Sequence, residues 1–408
     1  MALMRGTRFL FVVSVVFAIA CGPEEASVDF GHHDLSTADQ ARDFSTIDLA
    51  GRDAAVPDLA QPMCDLGVPS GVLVAAVQSS TNSLYVALLD GATWNDIQTS
   101  STPAITDVAL SSYAGVPLLV ARQTDATLSA AFFGSCQPTF PTLTQLFTGA
   151  STSHRPAVSG GDVVFKGSTN GDQNIYHTSW TGSAWTPAVQ QTQFTTTYAP
   201  TAVRPASTVH TIFTGTDSMK TIYDGTISDS PGGGTASAFT GATTAHEPAA
   251  VATGGKTLVV FTGMDTNLYA TGGNFAAPTS LCTGIASCVM TSNLAPVLSL
   301  DSTAQPIVAF VGKDPANNAN NYRVYSSSLT PSGSGGQWSA AVEASSGETT
   351  NFPLGLAPGV GGDLAELLWV RASDGALRHA RLTGAGWQTP TTVKAATFGA
   401  SPSVIVLP

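Results

Sequence analysis

One unit returns throughout this 408-residue chain. "HEPAAVATGGKTLVVFTGMDTNLYATGGNFAAPTSL", from His246, holds a proline, a short apolar strand, a turn and a stronger strand, then an Asp/Asn turn, a third strand and an aromatic-led fourth. The same plan starts at His154, Tyr198, Leu294 and Asn351, and more loosely at Ser101. Pro103, Pro156, Pro200, Pro248, Pro296, Pro353 and Pro402 mark the units at spacings of 53, 44, 48, 48, 57 and 49 residues. Four short strands in such a period are the pattern of propeller blades. No unit of this kind buries both of its faces alone, so the units must pack on one another around an axis. A sandwich does not hold one phase through seven units, and solenoid repeats are shorter. The fold expected is all-β: a seven-bladed β-propeller of four-stranded blades over residues 68–408.

The two ends of the repeat complete each other. "SPSVIVLP", Ser401–Pro408, opens a further unit and supplies one strand, while the segment from Ser70 has three strands and lacks the proline strand. A lone strand with unpaired edges is a liability. The C-terminal strand is therefore expected to become the inner strand of the first blade and to close the ring.

Charged residues are only 11% of the chain, against a usual quarter, and Ser, Thr and Gly carry the polar surface. That composition suits a turn-rich extracytoplasmic β-protein and argues against helical bundles and coiled coils. A formal charge of −12 argues against nucleic acid and against polyanions generally, because phosphate binding needs clustered Lys and Arg. The charge is uneven. Residues 22–67 hold ten acids and two arginines; from Val68 onward there are eighteen acids and twelve bases.

The first segment reads as a sorting signal. Arg5 and Arg8 precede an apolar core from Phe9 to Ile19, about half the roughly 20 residues that span a bilayer. "Ala18-Ile19-Ala20-Cys21" resembles the lipobox of bacterial lipoproteins, which implies a signal peptide over 1–20, lipidation of Cys21 and membrane attachment through that lipid. Gly22, in place of an aspartate, points to the outer membrane or cell surface. A plain A-x-A cleavage site with simple secretion stays open. Residues 21–67 carry aspartates at 29, 34, 39, 43, 48, 53 and 58. A five-residue period matches neither helix nor strand, so an extended, disordered acidic tether is expected.

Four cysteines remain after Cys21, an even number that in an exported chain suggests two disulfides. Cys282 and Cys288 close a short loop and form the natural pair; Cys64 with Cys136 would then staple the tether to the second blade. No metal site and no cofactor is expected.

"LLWVRASDGALRHARLTGAGWQTPTTV" from Leu367 and "VVFTGMDTNLYATGGNF" from Val259 resemble the repeats of bacterial propeller lectins within the sialidase and lectin-type propellers. The resemblance rests on turn and packing residues and implies a fold, whereas function lives in sites. The arginines of the repeat region stand in no sialidase-like context, and no clear Asp-box occurs. A paired-carboxylate glycoside hydrolase is the third reading, with Glu247 its candidate at a blade start. A non-enzymatic lectin-like module is the first, and a protein-interaction scaffold the second. In a propeller the segment entering each inner strand and the turn between strands two and three open on one face. His154, Tyr198, His246, Glu247 and Asn351 come from the entries, and Asp217, Asp265 and Asp374 from the turns. Imidazole, aromatic, amide and carboxylate groups are what a sugar ligand needs. Turn aspartates also bond their own backbone, which competes with any ligand role. The partner expected is a glycan or a surface protein; no oligomeric state can be read.

Overall fold

The computed structural model describes residues 71–408 apart from 101–102, 134–141, 148, 169–170, 287, 289, 313–321, 331–335 and 408. The signal peptide, Cys21, the tether and the Cys64–Cys136 pair lie outside the described residues.

Seven antiparallel sheets make a seven-bladed β-propeller. The inner strands, in chain order, are Ile105–Tyr113, Ala157–Ser159, Thr201–Val203, Ala249–Thr253, Val297–Leu300, Gly355–Pro358 and Ser403–Leu407. Each touches the next around the axis, and Ser403–Leu407 lies between Gly355–Pro358 and Ile105–Tyr113. Blade one is therefore assembled from both ends of the repeat. Gly71–Gln78 pairs with the C-terminal strand in a register that sets Val72 opposite Val406 and Ala75 opposite Ser403. Its outer strands are Ser83–Asp90 and Thr93–Ser100. The expected closure is present.

The second strand of each blade shows why the units need one another. Pro306–Gly312 and Ala365–Val370 are buried at every position, and Lys256–Thr262 at all but its first. A half-exposed strand would alternate apolar and polar residues; one covered on both faces reads as a continuous apolar run. Alternate side chains then serve opposite neighbours. Leu119 and Ala121 join Leu73 and Val86 of blade one, while Leu118 and Val120 join Val163 and Phe165 of blade three. An apolar cluster of this kind fills each of the seven blade junctions. Trp338, buried, and Phe275 and Trp387, partly buried, wedge into these seams from the fourth strands, and Trp185 does so from the connection before one. A disulfide joins Cys282 and Cys288.

Four blades share a finer signature. Phe165, Phe213, Phe261 and Phe310 lie near the ends of their second strands and are followed two residues later by Gly167, Gly215, Gly263 and Gly312. Tyr176, Tyr223, Tyr269 and Tyr325 on the third strands stack on those phenylalanines at 5.4–5.8 Å between centroids. The glycine is required by that ring: a Cβ on Gly263 would stand 2.7 Å from the Tyr269 ring and 2.7 Å from the Asp265 carboxylate.

The phase of the marker prolines needs two corrections. Asp107 pairs with Arg122 in blade two, and the registers of the other blades place Arg155 and Glu247 at the level of Asp107. Val108, not Pro103, thus holds the place of Pro156 and Pro248. In blade seven the entry segment is one residue shorter. Thr350 bonds the Phe352 carbonyl as Thr244 bonds that of His246, so Phe352, and not Asn351, stands where His246 stands.

Candidate functional site

A threonine or serine anchors the segment that enters the inner strand in blades three to seven. Thr152, Thr196, Thr244 and Ser292 donate their hydroxyls to the carbonyls of His154, Tyr198, His246 and Leu294, two residues on, at 2.9–3.2 Å. The same four residues bridge to Gly167, Gly215, Gly263 and Gly312 beside the turn after strand two. These two connections of the four blades therefore share one face, with His154, Tyr198 and His246 set into it half-buried.

Below them is the first ring of the axial channel. Carrying the inner-strand registers to the entry end brings Asp107, Arg155, Ala199, Glu247, Ala295, Pro353 and Ser401 to one level. A cavity of about 250 Å³ opens here, with Arg155, Glu247 and Pro248 in its lining. Four of the seven ring positions are small or ring-closed, and the three charges occupy one arc. The Arg155 Nε donates to the Val108 carbonyl at 2.9 Å. Asp107 accepts from Arg122 at 2.7 Å. Burial lowers the Arg155 pKa, opposed by the charges of Asp107 and Glu247. Burial raises that of Glu247, opposed by Arg155 and by the Ala199 backbone N–H, with Asp107 adding to the rise. Partial desolvation makes each of these groups a stronger hydrogen-bonding partner than it would be in water.

The histidines at the rim are kept neutral. Burial, then the charges of Lys166 and Arg122, push His154 down to about 4, against the pull of Asp107. Its Nδ1 lies 2.9 Å from the Ser153 hydroxyl. Burial also lowers His246. Near neutral pH each imidazole offers one donor, one acceptor and a flat face.

The turn aspartates are largely engaged by their own turns. Asp217 accepts from the backbone N–H groups of Met219 and Thr221 and from the Thr221 hydroxyl. Asp265 accepts from the Asn267 N–H and side chain and from the Tyr269 hydroxyl. Asp374 accepts from Arg371 and the Ala376 N–H, and the guanidinium holds its carboxyl down at about 2. Asn351 is exposed one place before the rim position taken by Phe352. The structure thus sets His154, Tyr198 and His246 on the entry face, places Glu247 in the cavity lining below them, and ties the three aspartates to turn geometry. Sequence reasoning missed Asp107, Arg122, Arg155 and Lys166 as site residues. Their signal is a departure from the repeat: where Thr214 and Thr262 end strand two, blades two and three carry Arg122 and Lys166.

No protein-family model and no curated protein matches this chain. Among solved structures it is similar to the fungal lectin of Aleuria aurantia, a six-bladed β-propeller that recognises fucose. The two are 14% identical, with 71% of this chain and 96% of the lectin covered at a TM-score of 0.45. AofleA of Arthrobotrys oligospora is 8% identical over 74% of this chain and 90% of its own, at 0.45. TolB of Acinetobacter baumannii is 17% identical over 68% of this chain and 67% of its own, at 0.41.

Proposed function

We propose that this chain is a non-enzymatic binding protein whose entry-face mouth recognises carbohydrate. In this reading a lipid on Cys21 tethers it outside the cytoplasm, at the outer membrane or cell surface of a bacterium. The supporting observation is the one-sided chemistry of the mouth. Ring closure needs only small residues at this level, as Ala199 and Ala295 show. Arg155 and Glu247 instead place a partly desolvated cation and anion there, at a cost in stability that closure does not require. Guanidinium and carboxylate supply donors and acceptors for vicinal hydroxyls, while Tyr198 and the imidazoles of His154 and His246 supply faces for the C–H side of a sugar ring.

A glycan array probed with the parent, Glu247→Gln and Tyr198→Ala tests this. Binding to a restricted set of glycans, lost in both variants, is expected; an array without a hit at high protein concentration overturns it. Turnover of fluorogenic glycosides that disappears in Glu247→Gln would move the reading to hydrolysis.

One observation favours a second reading, a protein-interaction scaffold. Met219 and Met264, 65% and 61% exposed, top adjacent blades on this same face. Crosslinking in cells would then recover a stable protein partner that Met219→Ser with Met264→Ser releases.

A further inference from the structure

Lys166 and Lys220 converge on one threonine. The Lys166 ammonium donates to the Thr197 carbonyl at 3.0 Å, and that of Lys220 to the Thr197 hydroxyl at 2.9 Å. Lys166 ends the second strand of blade three, Asp162–Lys166. Lys220 precedes Thr221–Thr226, the third strand of blade four. Both therefore reach the seam between these blades at the entry face. Among the described residues neither ammonium forms an ion pair.

The seam does not need these charges. At the place of Lys166 in the next two blades, Thr214 and Thr262 bond the neighbouring entry carbonyls of His246 and Leu294 with neutral hydroxyls. Lys166, an ammonium on a residue only 8% exposed, instead bonds the carbonyl of Thr197, one residue before the equivalent Tyr198. A buried cation beside a second cation, with no carboxylate bonded to either, destabilises the free protein. Burial lowers the Lys166 pKa, the charge of Asp172 opposes this, and Lys220 adds a smaller push downward. The hydroxyls of Thr195 and Thr216 lie 2.9 Å apart at the same seam.

We infer that Lys166, Lys220 and Thr197 form an anion subsite, and that the saccharide taken at the adjoining mouth carries a carboxylate or sulfate group. The saccharide rests on the carbohydrate reading above; the anion subsite does not. Each ammonium has three N–H donors, of which one is engaged by Thr197, so donors remain for an oxyanion. A chain of formal charge −12 repels anions at long range, and the attraction must come from this local pair. That fits one charged group on a small sugar and not a polyanion.

Thermal unfolding of the full chain in sodium glucuronate, galactose 6-sulfate, sodium sulfate or glucose, each against sodium chloride at matched ionic strength, tests the inference. The parent is compared with Lys220→Ala and Lys166→Met. Glucuronate or galactose 6-sulfate should raise the parent Tm above the chloride control. Lys220→Ala should weaken that binding roughly tenfold to hundredfold. Lys166→Met should abolish it while leaving the unliganded Tm equal to or above the parent's, which a merely structural lysine would not do. No shift over chloride in the parent, or the same shift in both variants, overturns the subsite. If inorganic sulfate acts as strongly as the sugars and Lys220→Ala weakens and Lys166→Met abolishes the effect, the subsite stands and the saccharide reading falls. If glucose binds as well as glucuronate and Lys220→Ala changes neither, the carbohydrate reading stands and the subsite falls.

Discussion

In blade seven the Nε2 of His379 stands 2.7 Å from a carboxylate oxygen of Glu366, with both side chains buried. The registers place His177 and Asp162, 2.9 Å apart in blade three, at the same positions of strands three and two. Blade four carries the pair reversed: His210 occupies the acid's place and Asp224 the imidazole's, at 2.8 Å. A diagonal acid–imidazole contact is thus a reusable packing unit of these blades, indifferent to which strand supplies which partner.

Exchanging the pair in blade seven tests that equivalence. Glu366→His alone and His379→Glu alone each leave two like groups in a buried site and should cost about 3–5 kcal/mol. The double exchange should recover more than half of the summed loss, as blade four already shows the reversed order fits. Urea unfolding through the double-mutant cycle reads the coupling; additive losses would reject the equivalence.

Gly263→Ala should destabilise by about 1–3 kcal/mol. The ring that the new Cβ meets cannot retreat freely, because Tyr269 stacks on Phe261 and its hydroxyl is held by Asp265 at 2.8 Å. Gly384→Ala, with open space around it, is the control and should leave Tm nearly unchanged. Equal effects at the two sites would remove the steric account.

The blade count and the closure by the C-terminal strand were legible because buried second strands and turn residues recur with a fixed period. Exact phase was not. Pro103 lies five residues before the place it was expected to mark, which Val108 fills, and the shortened entry before Pro353 moved Phe352 into the rim. Hydrogen bonding decides those registers, and proline position only accompanies it. The turn aspartates were visible as a set, yet whether a carboxylate faces ligand or its own backbone depends on bonds such as those of Asp217 to Met219 and Thr221. The cations that shape the mouth were the least legible. Arg155 and Lys166 are single departures inside a repeat, and only register alignment shows that they stand where other blades carry alanine and threonine.

Deleting Ser401–Pro408 should open the ring. Blade one would lose its inner strand, and Gly71–Gln78 would present an unpaired apolar edge that favours aggregation. Denaturant unfolding should lose its single cooperative transition. A deletant that unfolds like the parent would contradict covalent closure.

The neutral state of His154 predicts an acid-side loss of stability. Its folded pKa, about 4, lies below the usual value near 6.5. The unfolded chain therefore takes up the proton first as pH falls. The contribution is complete above about pH 6.5, declines as pH falls toward 4 and is exhausted below that. His154→Gln should flatten this part of the stability profile measured by urea unfolding between pH 4 and 7. An unchanged slope would show that His154 is not a source of it.

The histidines also give the most direct test of the mouth as a saccharide site. His154 and His246 stand on the entry face above it, whereas His177, His210 and His379 sit in acid pairs on strands two and three. Imidazole Cε1–H resonances, assigned by single substitutions, can be followed by NMR while a saccharide selected on the array is titrated into the full chain. The account predicts that the His154 and His246 signals move together with one dissociation constant while the other three stay fixed. Saturable binding that leaves His154 and His246 unmoved would contradict it.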